Sequence, residues 1–213
     1  MRPNELDLGL SLLDYPLTDS EGNASGRVDD IELAGGPGEA TRVSALLTGS
    51  GVWPDRLPRG VAVALAPFTR KWVKRIGWDD VERVGESVHL TAPAHELGIG
   101  VSSGHNVVWR TDLDANPLRL SRLVGSAVQT ADGHRIGRVF DVRVERMTAD
   151  PGEEVEEPWV VTGILAGRRA LLERLGVTER EREDAADVPD YFIGWRRVQD
   201  IRDDGTIVVS AGG

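Results

Sequence analysis

The stretch from Val124 to Val144 reads VGSAVQTADGHRIGRVFDVRV, and a counterpart at Leu13 to Leu33 reads LDYPLTDSEGNASGRVDDIEL. The two stretches lie 111 residues apart and share the pattern Gly-Arg-Val-x-Asp. Two further pairs of similar segments follow in the same order: ALLTG at Ala45 to Gly49 with GILAG at Gly163 to Gly167, and Ile76-Gly77-Trp78 with Ile193-Gly194-Trp195. Similar segments that recur in one order predict an internal repeat.

The repeated stretch has the pattern of a β-hairpin. Asp132-Gly133 is a two-residue turn signal, because glycine adopts a positive φ at little cost. After this turn, Phe140, Val142 and Val144 alternate with charged residues, which is typical of a strand with one buried face. Further short elements are predicted as strands at Trp159 to Leu165, Tyr191 to Trp195 and Thr206 to Val209, a turn at Asp203-Asp204-Gly205, and a capped helix at Arg168 to Gly176.

The composition is that of a globular protein, with 213 residues of which 40% are hydrophobic and 28% are charged. The absence of cysteine removes disulfides and thiolate metal sites, and it suits a reducing compartment. The acidic start does not resemble an export signal, and the longest apolar stretch, Gly60 to Thr69, has about half the length of a membrane-spanning helix. We therefore expect a cytoplasmic protein without a transmembrane segment.

The net charge of −10 bears on the choice of partner. Nucleic-acid binding draws most of its affinity from basic residues that displace counterions from phosphates. An acidic chain lacks that overall basic balance, so we expect nucleic acid to be a poor partner.

Many short strands and little helix predict a mainly β fold of two tandem small β-barrels, with about five to six strands each, short helices and an irregular linker. The first domain covers residues 7–92, the linker 93–118 and the second domain 119–211. Residues 93–118 lack the repeat pattern and contain several glycines and prolines, which is typical of a connection. We expect the two barrels to pack on each other.

The second copy carries a recognisable set of motifs: Leu123-Val124-Gly125-Ser126, Asp132-Gly133, Gly137-Arg138-Val139-Phe140-Asp141-Val142, and Ile193-Gly194-Trp195-Arg196-Arg197-Val198. This pattern resembles the PRC-barrel domain family, and the arrangement is similar to its two-copy bacterial members. Two lysines against 23 arginines suit a GC-rich genome such as that of an actinobacterium. The first copy departs from the pattern at Asp29, where an apolar residue is expected.

The resemblance implies a compact, partly open barrel and a role in holding partners within large assemblies. Members of the family include a cytoplasmic-facing part of photosynthetic reaction centres and a module of a ribosome-maturation factor. The family has no common catalytic residues, so the resemblance transfers no site to this chain.

The Gly-Arg-Val-x-Asp element offers the first candidate site, with Arg27 and Asp30 in one copy and Arg138 and Asp141 in the other. We interpret it as structural: the glycine permits the start of the strand, and the arginine and aspartate project from the exposed face. The four histidines show no HExxH or similar spacing, so we expect no bound metal and no other cofactor. His89 is predicted to lie in a strand, and His134 in solvent after a turn.

These observations favour a non-enzymatic adaptor that binds a protein partner, because no nucleophile and base stand out at a recognisable spacing. The alternative is a small-molecule or ion sensor with a pocket between the two barrels. The best candidate for partner binding is the segment from Phe68 to Arg75, whose candidate contact residues are Arg70, Lys71, Trp72, Lys74 and Arg75. Tryptophan and arginine are typical interface anchors, and anionic lipid is a weaker candidate for the same bases.

Overall fold

The computed structural model describes residues 4–49, 72–99, 107–109, 118–147, 158–167 and 191–211. The fold is mainly β. Its strands are β1 (Glu5–Asp7), β2 (Pro16–Thr18), β3 (Ala24–Arg27), β4 (Asp30–Ala34), β5 (Arg42–Thr48), β6 (Trp72–Gly77), β7 (Val81–Val84), β8 (Val88–Leu90), β9 (Val107–Trp109), β10 (Ala127–Thr130), β11 (Arg135–Arg146), β12 (Trp159–Gly167), β13 (Tyr191–Gly194), β14 (Val198–Ile201) and β15 (Ile207–Val209). The α-helices α1 (Leu8–Ser11) and α2 (Leu120–Leu123) and the 3₁₀ helices Trp78–Asp80 and Trp195–Arg197 are each about one turn long.

Most of the predicted elements of the second copy are confirmed. Gly133 has a φ of +88° at the hairpin turn, and its N–H donates to the carbonyl of Thr130 at 2.9 Å. The strands predicted around Trp159 and Thr206 are β12 and β15. The strand predicted to reach Trp195 ends one residue earlier, because Trp195 begins a 3₁₀ helix. The helix predicted at residues 168–176 lies outside the described residues.

The described chain forms two compact units, and neither is contiguous in sequence. Unit 1 comprises Met1–Gly9, Gly35–Arg42 and Arg122–Gly213, and unit 2 comprises Leu10–Ala34 and Val43–Ser121. The predicted domains were contiguous, whereas each compact unit includes a short segment from the other half of the sequence. The predicted linker also contains a strand, since β9 pairs with β6.

Unit 1 is built on a sheet with the strand order β14-β15-β10-β11-β12-β13. The pairing of β10 with β15 is parallel and the other pairings are antiparallel. Its strands bury a core of small aliphatic side chains: Val128, Val142, Ile164, Ile207 and Val209. The strand β1 pairs with the second half of β11, beyond the part that β10 covers.

The sheet of unit 1 is open, so its closure into a barrel is not confirmed. Among the described residues, no pairing joins β13 to β14, because the chain between them turns through the 3₁₀ helix Trp195–Arg197. The buried Trp195 fixes this turn, since its Nε1 donates to Thr41 Oγ1 at 2.9 Å. The carbonyl of Thr41 also accepts the N–H of Val161 at 2.7 Å, which holds the segment Gly35–Arg42 against β12.

Unit 2 has strands with the same pairing pattern, divided between the orders β3-β2-β8-β7 and β4-β5-β6-β9. The parallel pairing of β2 with β8 corresponds to that of β10 with β15. Ala45 is opposite Gly77 across β5 and β6, as Gly163 is opposite Gly194 across β12 and β13. In both cases a 3₁₀ helix that starts with tryptophan follows the second glycine. These strands are open at their edges as well.

Asp29 accounts for the difference between the two units at β3 and β4. In unit 1 the strand β11 is continuous, whereas the corresponding stretch of unit 2 is interrupted after Arg27. The buried carboxylate of Asp29 accepts the N–H of Gly49 at 2.6 Å and lies 3.1 Å from Nε of Arg27. Asp29, the residue that departs from the repeat pattern, thus binds the main chain directly after β5 at the point where the strand is interrupted.

We predict that Gly137→Val lowers stability more than His134→Ala does. A Cβ at residue 137 would lie 3.0 Å from the backbone of Gly167 on the neighbouring strand, and backbone atoms of a sheet cannot move aside cheaply. Such overpacking typically costs about 1–3 kcal/mol. The His134 side chain is exposed, so its removal has little effect. Equal thermal melting temperatures for the two variants would contradict this assignment of the strand contact.

Candidate functional site

The aspartate of the Gly-Arg-Val-x-Asp element is buried in unit 1 and holds two main-chain groups. Asp141 Oδ1 accepts the N–H of Gly9 at 2.6 Å and the N–H of Val142 at 2.7 Å. A Cβ on Gly9 would lie 3.0 Å from the same oxygen, so only glycine allows this approach. Asp141 therefore fixes the first turn of α1, which comes from the start of the chain.

The corresponding aspartate of unit 2 makes the same kind of contact. Asp30 Oδ1 accepts the N–H of Ser121 and the N–H of Ile31, both at 2.9 Å, and Oδ2 accepts the Ser121 hydroxyl at 2.5 Å. Burial raises the pKa of Asp30 above its ordinary value, although these hydrogen bonds and the nearby Arg119 favour the ionised form. The Arg119 Nη1 lies 3.7 Å from Asp30 Oδ2, and both side chains are fully buried.

The prediction that both charged residues of this element project from the exposed face is confirmed for Arg27 and Arg138 and wrong for Asp30 and Asp141, which are buried. Arg27 pairs with Asp29, and Arg138 donates to the carbonyl of Gly125 at 2.6 Å.

Arg143 is the centre of a charged cluster in unit 1. Its guanidinium binds Asp7 through two hydrogen bonds of 2.7 and 3.0 Å and lies 2.9 Å from Glu5 Oε1. The hydrogen bond to Asp7 is the main reason that the pKa of Arg143 is raised further above its ordinary value. Bidentate arginine–carboxylate pairs of this kind fix orientation as well as charge.

Phe192 provides an exposed aromatic surface next to this cluster. The Arg143 guanidinium carbon lies 5.6 Å from the centre of the Phe192 ring, and half of Phe192 is exposed. The ring also covers Gly163, where any Cβ would lie 2.6 Å from a ring carbon. The glycine of β12 thus makes room for the aromatic ring of β13 to lie across the sheet towards the arginine.

The segment predicted to bind a partner is only partly described. Arg70 and Lys71 lie outside the described residues, and Trp72 begins β6. Lys74 is buried, and its Nζ donates to the carbonyl of Ile99 at 2.7 Å.

Arg75 is the last base of that segment. It is held by Glu32 of β4, the strand on the other side of β5. Two hydrogen bonds of 3.1 and 3.0 Å join the guanidinium to the Glu32 carboxylate, and 40% of the arginine side chain stays exposed. Lys74 and Arg75 thus both bind groups of this chain. Partner binding by the segment stays a prediction.

A serine and a histidine approach each other in unit 2. His89 lies in β8, as predicted for a strand, and Ser87 directly precedes that strand. Ser87 Oγ lies 3.0 Å from His89 Nε2, and Arg83 Nη2 lies 3.5 Å from Nδ1 of the same ring. Which group donates in each contact depends on the tautomer of the ring.

Neither a metal-binding cluster nor a membrane-spanning helix occurs in the part of the chain that the structure describes. No group of three histidine, aspartate or glutamate side chains within that part of the chain is arranged to hold a metal ion. No helix there is both long and apolar enough to cross a membrane.

No protein-family model matches this chain, and no curated protein matches it either.

We predict that Asp141→Ala destabilises the protein by about 2 kcal/mol, because it leaves the buried N–H of Val142 and the partly buried N–H of Gly9 without their acceptor. Asp200→Ala is the matched control, since Asp200 is exposed on β14 and its removal should change stability by about 0.5 kcal/mol at most. Urea unfolding measures both values. A difference within experimental error would show that Gly9 and Val142 do not depend on this carboxylate.

The pKa of Asp30 predicts a pH dependence with a definite sign. A carboxyl whose pKa is higher in the folded state binds its proton more tightly there, so its stabilising contribution is complete below the ordinary value of 3.8 and is lost as pH rises. We expect wild type to lose stability relative to Asp30→Asn as pH is raised from about 3.5 to 7. Urea unfolding of both proteins at several pH values tests this, and a constant difference would contradict the raised pKa.

Proposed function

We propose that the chain is a non-enzymatic adaptor, built from two PRC-barrel-like repeats, that holds a protein partner in a larger assembly. The matching strand pairings of the two units support the repeat: Leu17 pairs with Val88 as Val128 pairs with Ile207. The proposal places the protein in the cytoplasm of a bacterium, which is in keeping with the lack of cysteine and the preference for arginine. Packing of the two repeats on each other stays part of the prediction.

The observation that carries the adaptor function is the exposed ring of Phe192 beside Arg143. Aromatic residues and arginine are the most frequent anchors of protein interfaces. The ring is preorganised, because it rests on Gly163 and on the guanidinium, so little side-chain freedom would be lost on binding.

The test is affinity purification of the full chain from its native cell, followed by mass spectrometry. We expect Phe192→Ala to reduce recovery of the co-purifying protein by roughly tenfold or more. The control is Met147→Ala, because Met147 is 54% exposed and also lies in unit 1. Circular dichroism confirms the fold of each variant. Equal recovery with both variants would overturn the role of Phe192.

The predicted segment before β6 requires a separate pair of variants. Lys74 is buried and Arg75 pairs with Glu32, so their replacement would disturb the fold. Arg70→Glu and Lys71→Glu together test the segment without touching these contacts. Unchanged recovery of the partner would exclude the two bases from the interface.

The sensor alternative predicts a different result. A metabolite or metal ion that binds only the folded state must raise the melting temperature in proportion to its occupancy. A reproducible thermal shift with one compound, in the absence of any co-purifying protein, would favour the sensor over the adaptor.

A further inference from the structure

Two short segments take corresponding positions in the two units. We call residues 5–9 the acidic arm and residues 118–121 the basic arm. The acidic arm belongs to unit 1, and the basic arm belongs to unit 2. Each arm therefore lies among strands from the other half of the sequence.

The arms are held at corresponding positions. Asp7 of the acidic arm is opposite Arg143 in the register of β1 and β11, and Arg119 of the basic arm forms a β-bridge with Glu32. Arg143 and Glu32 are 111 residues apart, the spacing of the repeated stretches. The two arms are thus bound at the same position of the same strand of the repeat.

The main-chain contacts of the arms also correspond. Gly9 donates its N–H to Asp141, and Ser121 donates its N–H to Asp30. The two N–H contacts are chemically alike, but the residues that make them differ. Ser121 also donates its hydroxyl to Asp30, whereas a Cβ at the position of Gly9 would lie 3.0 Å from Asp141 Oδ1. These contacts therefore already favour the basic arm in unit 2.

The charges of the two arms, and of the strand residues that they face, differ between the two units as well. In unit 1 the strand residue is basic, and the arm brings Glu5 and Asp7 to Arg143. In unit 2 the strand residue is the acidic Glu32, and the arm brings Arg119 within 3.7 Å of Asp30. The sign is therefore reversed at the strand position of Arg143 and Glu32, whereas Asp30 has an acidic counterpart, Asp141, in unit 1.

We propose that this reversed pair of charges sorts the two arms, so that unit 1 selects the acidic arm and unit 2 selects the basic arm. With the arms exchanged, Asp7 would be placed opposite the buried Glu32, and Arg119 opposite Arg143. Like charges placed together at these partly or fully buried positions are unfavourable, even though Arg75 already binds Glu32, whereas a matched pair is stabilising. The sorting is independent of the adaptor function.

The test is selective disulfide trapping. The natural chain has no cysteine, so only the two introduced cysteines can form a disulfide within the chain. Leu6 pairs with Val144 in unit 1, and the position that corresponds to Val144 in unit 2 is Leu33. One full-length variant carries Leu6→Cys with Val144→Cys and reports the sorted arm. A second carries Leu6→Cys with Leu33→Cys and reports the exchanged arm. Facing residues of paired strands are close enough for a disulfide, and these changes leave the charges intact.

We expect the sorted pair to cross-link roughly tenfold or more over the exchanged pair under mild oxidation. Adding Glu5→Arg and Asp7→Arg makes the acidic arm basic and should reverse or abolish that preference. Adding Arg143→Asp to these two changes should restore the preference for the sorted pair, because unit 1 then offers an acidic residue to the basic arm. Light scattering shows whether an exchanged arm comes from the same molecule or from a second copy.

Two results would overturn the sorting. One is equal cross-linking of the two cysteine pairs with the natural charges. The other is an unchanged ratio after the arm is reversed, which would leave the ion pairs as stabilising contacts without selectivity. Asp7→Asn serves if the reversed arm prevents folding: this neutral change should lower the ratio, and an unchanged ratio would likewise overturn the proposal.

Discussion

A buried carboxylate in each unit accepts the main-chain N–H of a short segment from the other half of the sequence, and the rest of the structure depends on this contact. Asp141 holds Gly9, and Asp30 holds Ser121. A buried carboxylate is costly unless donors surround it, so each aspartate needs its segment as much as the segment needs the aspartate. Each contact holds the start of a short helix against a strand from the other half of the sequence.

This mutual requirement explains why the compact units do not follow the predicted repeat. A tandem repeat of two independent domains would keep each arm with its own strands, but here both arms are bound by the other half. The segment Gly35–Arg42 is a further piece of the first half of the sequence that belongs to unit 1. Its Thr41 accepts the indole N–H of Trp195 within that unit. Neither unit is complete without residues from both halves of the chain.

Local patterns predicted the strands well and the buried polar contacts poorly. The turn at Asp132-Gly133 and the strand β12 follow from glycine conformation and apolar runs, which act over a few residues. Charged residues that alternate with apolar ones indicate an exposed face, yet Asp30 and Asp141 are buried. Their donors lie 91 and 132 residues away in sequence, so no local pattern contains them.

One signal in the sequence does identify the arms. Asp7-Leu8-Gly9 and Arg119-Leu120-Ser121 are 112 residues apart, one more than the offset of the strands that follow. A comparison at the fixed offset of 111 misses this correspondence. The change of sign from Asp7 to Arg119 hides it further, although that same change is what distinguishes the two arms.

The most direct test of this account is the hydrogen exchange of the Gly9 and Ser121 amides in the native protein, measured by NMR. Both lie in helices of about one turn, which would exchange almost as fast as an unfolded peptide without a tertiary acceptor. If the two carboxylates hold the arms, both amides exchange as slowly as those of the core strand β12, and Asp141→Ala removes the protection of Gly9 alone. Rapid exchange of both amides in the wild type would contradict the account.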